Sequence, residues 1–189
     1  LTKSVTVTTS PPTLTKTILG TGLAATAGAN VAIGETVQYR ISLAVPDGLL
    51  TNALLTDSLP AGMALVGIDS WNVVGLLATS QVGGFQSVFD NATIGTNGSS
   101  FRLDFGTLTN SDLSSSTEES ITVDLTAVVL NAAADIAGTQ LVNQATFSVQ
   151  GGSATISAPA LTVVTPKLTL SDSASATTAQ AGDTVSYTL

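Results

Sequence analysis

Strict alternation of apolar and polar residues is the feature that most constrains the fold of this chain. In residues 36–45 the apolar positions are Val37, Tyr39, Ile41, Leu43 and Val45. In residues 121–129 they are Ile121, Val123, Leu125, Ala127 and Val129. Because successive side chains of a β-strand point to opposite faces, both stretches predict strands that bury one face in a core.

Shorter stretches of the same pattern extend this prediction along most of the chain. Further strands are predicted at residues 1–10, 14–18, 51–59, 101–105, 141–149 and 155–164. A turn is predicted at Pro46-Asp47-Gly48, and a tight hairpin at Asn97-Gly98. Residues 64–100 are less regular; Trp71 and Phe85 there are interpreted as core or loop packing, with an exposed Trp as the ligand-holding alternative. The chain is therefore predicted to be all-β, an antiparallel β-sandwich with one irregular insertion.

Composition excludes several classes of function. The formal net charge is -8, with 5 Lys and Arg residues and no His. A phosphate backbone would be repelled, so nucleic-acid binding is not expected. The absence of Cys excludes disulfides and thiolate metal sites, and the absence of His excludes a Ser-His-Asp triad. No apolar run is long enough to span a bilayer, and no motif predicts an enzyme.

Three predicted strands carry one polar residue where the alternation calls for an apolar one. These residues are Lys16, Asp57 and Asn143. A buried, unpaired charge is costly, so the three side chains are expected to meet inside the sandwich. Burial is expected to lower the pKa of Lys16 and to raise that of Asp57.

Simpler roles for these three residues stay open at this point. Asp57 could cap the turn at Pro60-Ala61-Gly62, and Asn143 could bond a strand end. Lys16 could extend from a sheet edge with its amine in water.

The end of the chain repeats its beginning. Pro12-Thr13-Leu14-Thr15 returns as Pro166-Lys167-Leu168-Thr169, 154 residues later. Gly34-Glu35-Thr36-Val37-Gln38-Tyr39 returns as Gly182-Asp183-Thr184-Val185-Ser186-Tyr187, 148 residues later. This spacing predicts a repeat of roughly 150 residues. Residues 1–10 would be the last strand of a preceding repeat, residues 12–165 a complete repeat, and residues 166–189 the first strands of the following one.

Three segments of the chain resemble a conserved repeat of secreted bacterial and archaeal surface proteins. They are Gly-Glu-Thr-Val-Gln-Tyr at 34–39, Leu-Thr-Asp-Ser-Leu-Pro-Ala-Gly at 55–62, and Val-Asn-Gln-Ala-Thr-Phe at 142–147. These repeats are similar to the collagen-adhesin-like domains of fimbrial shafts. The resemblance implies an Ig-like β-sandwich in an extracellular stalk, fibre or adhesin, without turnover of an external substrate. It implies neighbouring repeats or identical subunits as partners, and a host surface or glycan as a further ligand.

The resemblance also implies a cross-link, because some fimbrial domains form an internal Lys–Asn isopeptide bond assisted by an acid. By position, Lys16 supplies the amine, Asn143 the carboxamide, and Asp57 the assisting catalytic carboxyl. Aligning Pro12 with Pro166 puts Leu170 at the place of Lys16, so the following copy lacks the amine.

Two other functions stay open from the sequence. In the first, the chain is a filament subunit, and residues 1–10 or 166–189 complete the sheet of a neighbour. In the second, the loops between residues 64 and 118 form a ligand-binding tip.

Metal binding and glycosylation are weaker expectations. Ca²⁺ is the metal considered, with the acidic candidates Asp47, Asp69, Asp90, Asp104, Asp112, Glu118 and Glu119. No Asp-x-Asp-x-Asp-Gly spacing is present, so these residues are interpreted as solvated surface and no metal site is predicted. Asn91 and Asn97 begin glycosylation sequons, which matter only in a host that glycosylates.

Overall fold

The computed structural model describes residues 12–26, 28–112, 119–132, 136–165 and 170–188. Its strands are β1 (Thr13–Thr21), β2 (Asn30–Val31), β3 (Thr36–Ala44), β4 (Gly48–Ser58), β5 (Met63–Val74), β6 (Leu77–Thr79), β7 (Thr93–Ile94), β8 (Ser100–Asn110), β9 (Ser120–Val129), β10 (Gln140–Leu141), β11 (Gln144–Val149), β12 (Gly152–Ser157), β13 (Leu161–Val163), β14 (Ser173–Ala174) and β15 (Tyr187–Thr188). One α-helix, α1 (Gly84–Asp90), and two 3-10 turns, Ala24–Thr26 and Thr96–Gly98, complete the described elements. No helix among these residues is long and apolar enough to cross a membrane.

Two large sheets form the fold. Sheet I has the strand order β1-β3-β9-β5, and sheet II has the order β12-β11-β4-β8-β6, with β7 also paired to β8. Every pairing within these two sheets is antiparallel. A smaller sheet, β10-β13-β2, includes the parallel pair β13 and β2. The predicted all-β class is confirmed.

The core lies between sheets I and II, where the inward positions of the alternating strands meet. The largest fully buried side chains are Tyr39, Phe101, Phe105, Phe147, Ile41, Leu43, Leu55, Leu103, Leu108, Ile121, Leu125 and Leu141. Strands β3 and β9 follow the predicted alternation, with their odd-numbered residues buried. A period of two therefore identified the inner face of sheet I correctly.

The predicted irregular region is more regular than expected. It begins with β5, a strand of 12 residues at the edge of sheet I. The pairing of β5 with β9 shifts between Leu65 and Gly67 and again between Ile68 and Ser70. Each shift breaks the alternation of side chains, which hid the strand from a search for period two.

Helix α1 packs against both β5 of sheet I and β8 of sheet II. The ring of Phe89 in α1 stacks on Trp71 of β5, with ring centroids 4.5 Å apart. Phe89 and Phe85 each contact the edge of Phe105 in β8 at 6.3 Å. The aromatic side chains of the insertion are thus core packing between the two sheets, as one of the two predictions stated.

One predicted turn and one predicted strand differ in detail. Asn97 and Gly98 both have positive φ, but they sit in a longer loop that joins β7 to β8. The predicted strand at residues 155–164 is divided at Pro159 into β12 and β13. Proline lacks the N–H that would continue the ladder, so the chain leaves sheet II there. The predicted strand at 1–10 lies outside the described residues.

The chain enters and leaves this unit at opposite ends. Thr13 pairs with Ala44, Ala44 with Ser120, and Ser120 with Val74, which together form the N-terminal end of sheet I. At the other end, Gly34 donates to the carbonyl of Val129 over 2.8 Å. Strand β13 pairs with β2 beside that turn, so the chain departs from the C-terminal end.

Candidate cross-linking site

Lys16 lies on the inner face of β1, at the edge of sheet I. It pairs with Ile41 of β3, and its neighbours Thr15 and Thr17 point outward. The side chain of Lys16 has no solvent exposure. A lysine that does not reach water needs a partner inside the protein.

That partner is Asp57 of β4, on the facing surface of sheet II. The Lys16 amine donates to Oδ2 of Asp57, and the Asp57 side chain is also fully buried. Asp57 pairs with Phe101 of β8 on one side and with Ala145 of β11 on the other. The contact therefore joins the edge strand of sheet I to sheet II across the core.

Asn143 lies on the same inner face as Asp57. It precedes β11 by one residue and stands two positions before Ala145, the residue opposite Asp57. Diagonal positions of this kind are within reach of one another's side chains. Its backbone carbonyl accepts a hydrogen bond from Ala158 over 2.9 Å, which fixes the strand, and the residue is fully buried.

The side chain of Asn143 has no hydrogen-bond partner. Among the described residues, the buried side-chain polar atoms without a partner are Nδ2 and Oδ1 of Asn143 and Oδ1 of Asp57. An unsatisfied buried polar group costs about 1–3 kcal/mol, so these three unpartnered atoms call for an explanation. The structure brings Lys16 into contact with Asp57, and Asn143 approaches from the same face without a hydrogen bond to either.

The surroundings favour the neutral amine. Burial lowers the pKa of Lys16 from 10.5 to about 7. The ring of Tyr39 lies 5.2 Å from the amine and is itself fully buried, which raises the pKa of its hydroxyl. That hydroxyl faces the sulfur of Met63 at 3.7 Å. Near neutral pH, the site therefore holds a substantial fraction of unprotonated, nucleophilic amine beside a carboxyl group.

The simpler roles considered for these residues do not match the geometry. The turn after β4 is closed by Met63 N–H donating to the Pro60 carbonyl at 3.0 Å, without Asp57. The Asn143 amide bonds no strand end, and Lys16 does not reach solvent. An amine, an acid and a carboxamide are thus all buried in the core.

The acidic residues considered for Ca²⁺ are dispersed. Asp69 accepts from Thr126, Asp90 from Gln86, and Asp104 from Gln81. Within the described part of the chain, no group of three or more His, Cys, Asp or Glu side chains could hold a metal ion. Glu118 lies outside the described residues.

Glu119 was interpreted as solvated surface, but it is buried directly before β9. Its carboxylate accepts from Asn110 over 3.1 Å, and its carbonyl accepts the N–H of Val45 over 2.8 Å. The prediction was wrong because a single acidic residue before a strand does not indicate which side chain, here the Asn110 amide, will hydrogen-bond it in the core.

The two sequon asparagines are both exposed, but they differ in their bonding. The Asn91 amide nitrogen donates to the backbone carbonyl of Ser87 at 2.8 Å, at the end of α1. Asn97 lies on the loop between β7 and β8, with φ 55°. Their glycosylation stays a prediction.

Sequence reasoning missed the role of Glu35, which is 2% exposed. Its carboxylate accepts the N–H groups of Leu23 and Ala32 and the hydroxyl of Thr26. Burial alone would raise the pKa of Glu35, but these hydrogen bonds together hold it below the usual value. Glu35 thereby organises the loop that carries β2. The only signal in the sequence was its place beside Gly34 in a repeated segment.

The fold is similar to those of pilin and adhesin β-sandwiches. BcpA, the major pilin subunit of Bacillus cereus, is 12% identical over 82% of this chain and 40% of its own, with a TM-score of 0.48. The pilus backbone RrgB of Streptococcus pneumoniae is 18% identical over 74% of this chain and 31% of its own, with a TM-score of 0.49. The N-terminal domain of the Streptococcus gordonii adhesin Sgo0707 is 14% identical over 80% and 31%, with a TM-score of 0.47.

The chain thus spans 40% or less of the length of these three structures. Neither a protein-family model nor a curated protein matches the sequence.

Proposed function

We propose that this chain is a structural module of an extracellular stalk, fibre or adhesin, locked by an isopeptide bond between Lys16 and Asn143. The observation that carries the proposal is the buried Asn143 amide, which has no partner beside a buried amine and acid. A covalent bond between the Asn143 carboxamide and the Lys16 amine would remove an unsatisfied polar group and a buried charge in one step.

The chemistry balances without any added reagent. The neutral Lys16 amine attacks Cγ of Asn143, while protonated Asp57 hydrogen-bonds the carboxamide oxygen. Asp57 delivers its proton to the departing amide nitrogen and takes one from the attacking nitrogen, so it ends protonated as it began. One C–N bond forms, one C–N bond breaks, and ammonia leaves. The reaction happens once per molecule, so the module turns over no external substrate.

The bond would stiffen the module along its length. Lys16 and Asn143 stand 127 residues apart in the sequence, and the bond would tie the first strand to the start of β11. Because the chain enters and leaves at opposite ends, a pulling force on the termini would pass through the bond. The residues between its anchors would then stay folded under load.

The structure of residues 170–188 supports a repeat of the same unit. The N–H of Glu35 donates to the Ala32 carbonyl at 3.1 Å, and its carboxylate accepts the Ala32 N–H at 2.8 Å. The N–H of Asp183 donates to the Gln180 carbonyl at 3.0 Å, and its carboxylate accepts the Gln180 N–H at 2.7 Å.

The strands before and after the turn at residues 180–183 also correspond to strands of the first unit. In both turns the preceding glycine has positive φ, 84° at Gly34 and 98° at Gly182. Tyr187 lies in β15, which pairs antiparallel with β14, as Tyr39 lies in β3, which pairs antiparallel with β1. We therefore propose that residues 166–189 begin a second module, and that neighbouring modules are the chief partners of this one.

Trypsin digestion of the folded, then denatured, full chain tests the bond. An isopeptide at Lys16 blocks cleavage there and yields a branched peptide that joins residues 4–40 to residues 103–167. Separate peptides, with cleavage after Lys16, would contradict the proposal. A branch from residues 4–40 to residues 41–102 would instead assign the bond to Asp57, with loss of water, and would also overturn the Asn143 assignment.

A further inference from the structure

Exposed apolar side chains gather in a groove at the C-terminal end of the sandwich. The groove has a volume of about 520 Å³ and is lined by Ile18, Leu19, Leu23, Ala24, Pro159 and Ala160, among others. Leu19 and Leu23 are 47% and 48% exposed. Isolated exposed leucines are ordinary on a protein surface, but a lined concave patch indicates a contact surface.

This groove lies beside the strand by which the chain leaves the module. Thr162 of β13 donates to the carbonyl of Ala29, which also lines the groove, at 2.7 Å. Val164 donates to the carbonyl of Val31 at 2.8 Å. The chain that continues past Thr165 therefore starts next to the groove.

The opposite end of the module also exposes apolar side chains. Leu49 and Leu76 are 68% and 62% exposed, and Val74 is 47% exposed. Val74 is the last residue of β5 and belongs to the row of paired residues that includes Thr13. Leu76 directly precedes β6, and Leu49 is the second residue of β4. Both ends of the module therefore expose apolar side chains.

We infer that the groove around Leu19 and Leu23 is the seat for the N-terminal end of the following module in the same chain. This inference rests on the proposed repeat organisation, although not on the isopeptide bond. The first proposed module ends at residue 165 and the second begins at residue 166, so the linkage between modules is short. A short tether raises the effective concentration of the next module to the millimolar range, so a weak apolar contact is enough to hold the two modules in line.

The test is a chain in which residues 12–165 are duplicated in place, studied by NMR relaxation and small-angle scattering. The two modules are expected to tumble as one body. Leu23→Asp in the first copy, or Leu49→Asp in the second copy, should release them to tumble independently. Val82→Asp is the matched control, because Val82 is 93% exposed in the loop before α1, away from both ends.

Independent tumbling in the unsubstituted duplicated chain would overturn the inference. Joint tumbling that survives both Leu23→Asp and Leu49→Asp would also overturn it, since the contact would then lie elsewhere. The trypsin map of each copy reports the isopeptide bond separately, so failure of the groove and failure of the bond give different results.

Discussion

The Lys16 amine meets the Asp57 carboxylate between two sheets, and neither side chain is accessible to solvent. Such a pair is costly to bury and adds little stability of its own. Asn143 stands two residues before Ala145, the residue opposite Asp57, and its amide lacks a partner; the proposed cross-link joins that amide to Lys16. A covalent site and a buried ion pair with an unpartnered amide differ in their effect on the stability, the titration and the extension of the chain.

Asn143→Ala should lower the stability of the folded chain strongly. The bond would close a loop of 127 residues, which by loop entropy is worth about 5 kcal/mol. For a protein of this size that is a fall in Tm of roughly 10–20 °C, measured by calorimetry. Gln144→Ala is the control, because Gln144 is the next residue in the sequence and its side chain faces outward. Without a bond the same change removes an unsatisfied buried amide, so a neutral or stabilising effect would contradict the account.

The same Asn143→Ala variant should gain stability as the pH rises above neutral. Its Lys16 stays a free amine with a pKa of about 7 when folded and 10.5 when unfolded. Between these values the unfolded chain binds more protons, so the free energy of unfolding rises with pH, by at most about 1.4 kcal/mol per unit.

In the linked wild type Lys16 cannot titrate, and this rise should be missing between pH 7 and 9. Denaturant unfolding across that range measures both slopes. Lys16→Met combined with Asn143→Ala serves as the control, since it should also lack the rise. Equal slopes in the wild type and Asn143→Ala would count against a bond at Lys16.

Glu35→Gln should loosen the loop that carries β2. Hydrogen bonds to a charged group contribute about 1.5–3 kcal/mol, and a loss of about 2–3 kcal/mol is expected at pH 7. The pKa of Glu35 is lowered in the folded state, so this stability is present above the ordinary value of 4.5 and is lost as the pH falls through the folded value.

Hydrogen exchange at Leu23 and Ala32, whose amides bond Glu35, should speed up in Glu35→Gln. Asp104→Asn, on the outer face of sheet II, is the control and should leave both amides unchanged. Unchanged exchange at these two amides in Glu35→Gln would refute the assigned role.

Stretching the full chain by its termini should show directly how much of the chain the bond keeps from extending. With the bond in place, the residues between Lys16 and Asn143 cannot extend, which withholds about 440 Å of contour at about 3.5 Å per residue. In Asn143→Ala that length should appear in the force–extension trace. A wild type that releases the same length as this variant would contradict the proposed mechanical role.

Most of the fold could be predicted because strands β3 and β9 bury strictly alternate residues. The same argument identified Lys16, Asp57 and Asn143, since a polar residue in a buried phase is conspicuous against that pattern. Strand β5 was missed because two register shifts break its alternation. Helix α1 was missed because its seven residues are too few to establish a helical period.

The network around Glu35 could not be predicted for a different reason. Its partners Leu23 and Ala32 contribute backbone N–H groups, which every residue except proline carries. The burial of Glu119 beside Asn110 could not be predicted because it depends on how the end of β8 meets the start of β9, which lies in the other sheet. Local patterns report which face of a strand is buried, whereas long-range contacts decide which polar groups share a site.

The intact mass of the folded, full-length chain tests the central claim most directly. The account predicts a mass lower than that of the sequence by one ammonia, and a full mass for both Lys16→Met and Asn143→Ala after allowing for each substitution. A wild-type mass equal to that of the complete sequence would contradict the cross-link.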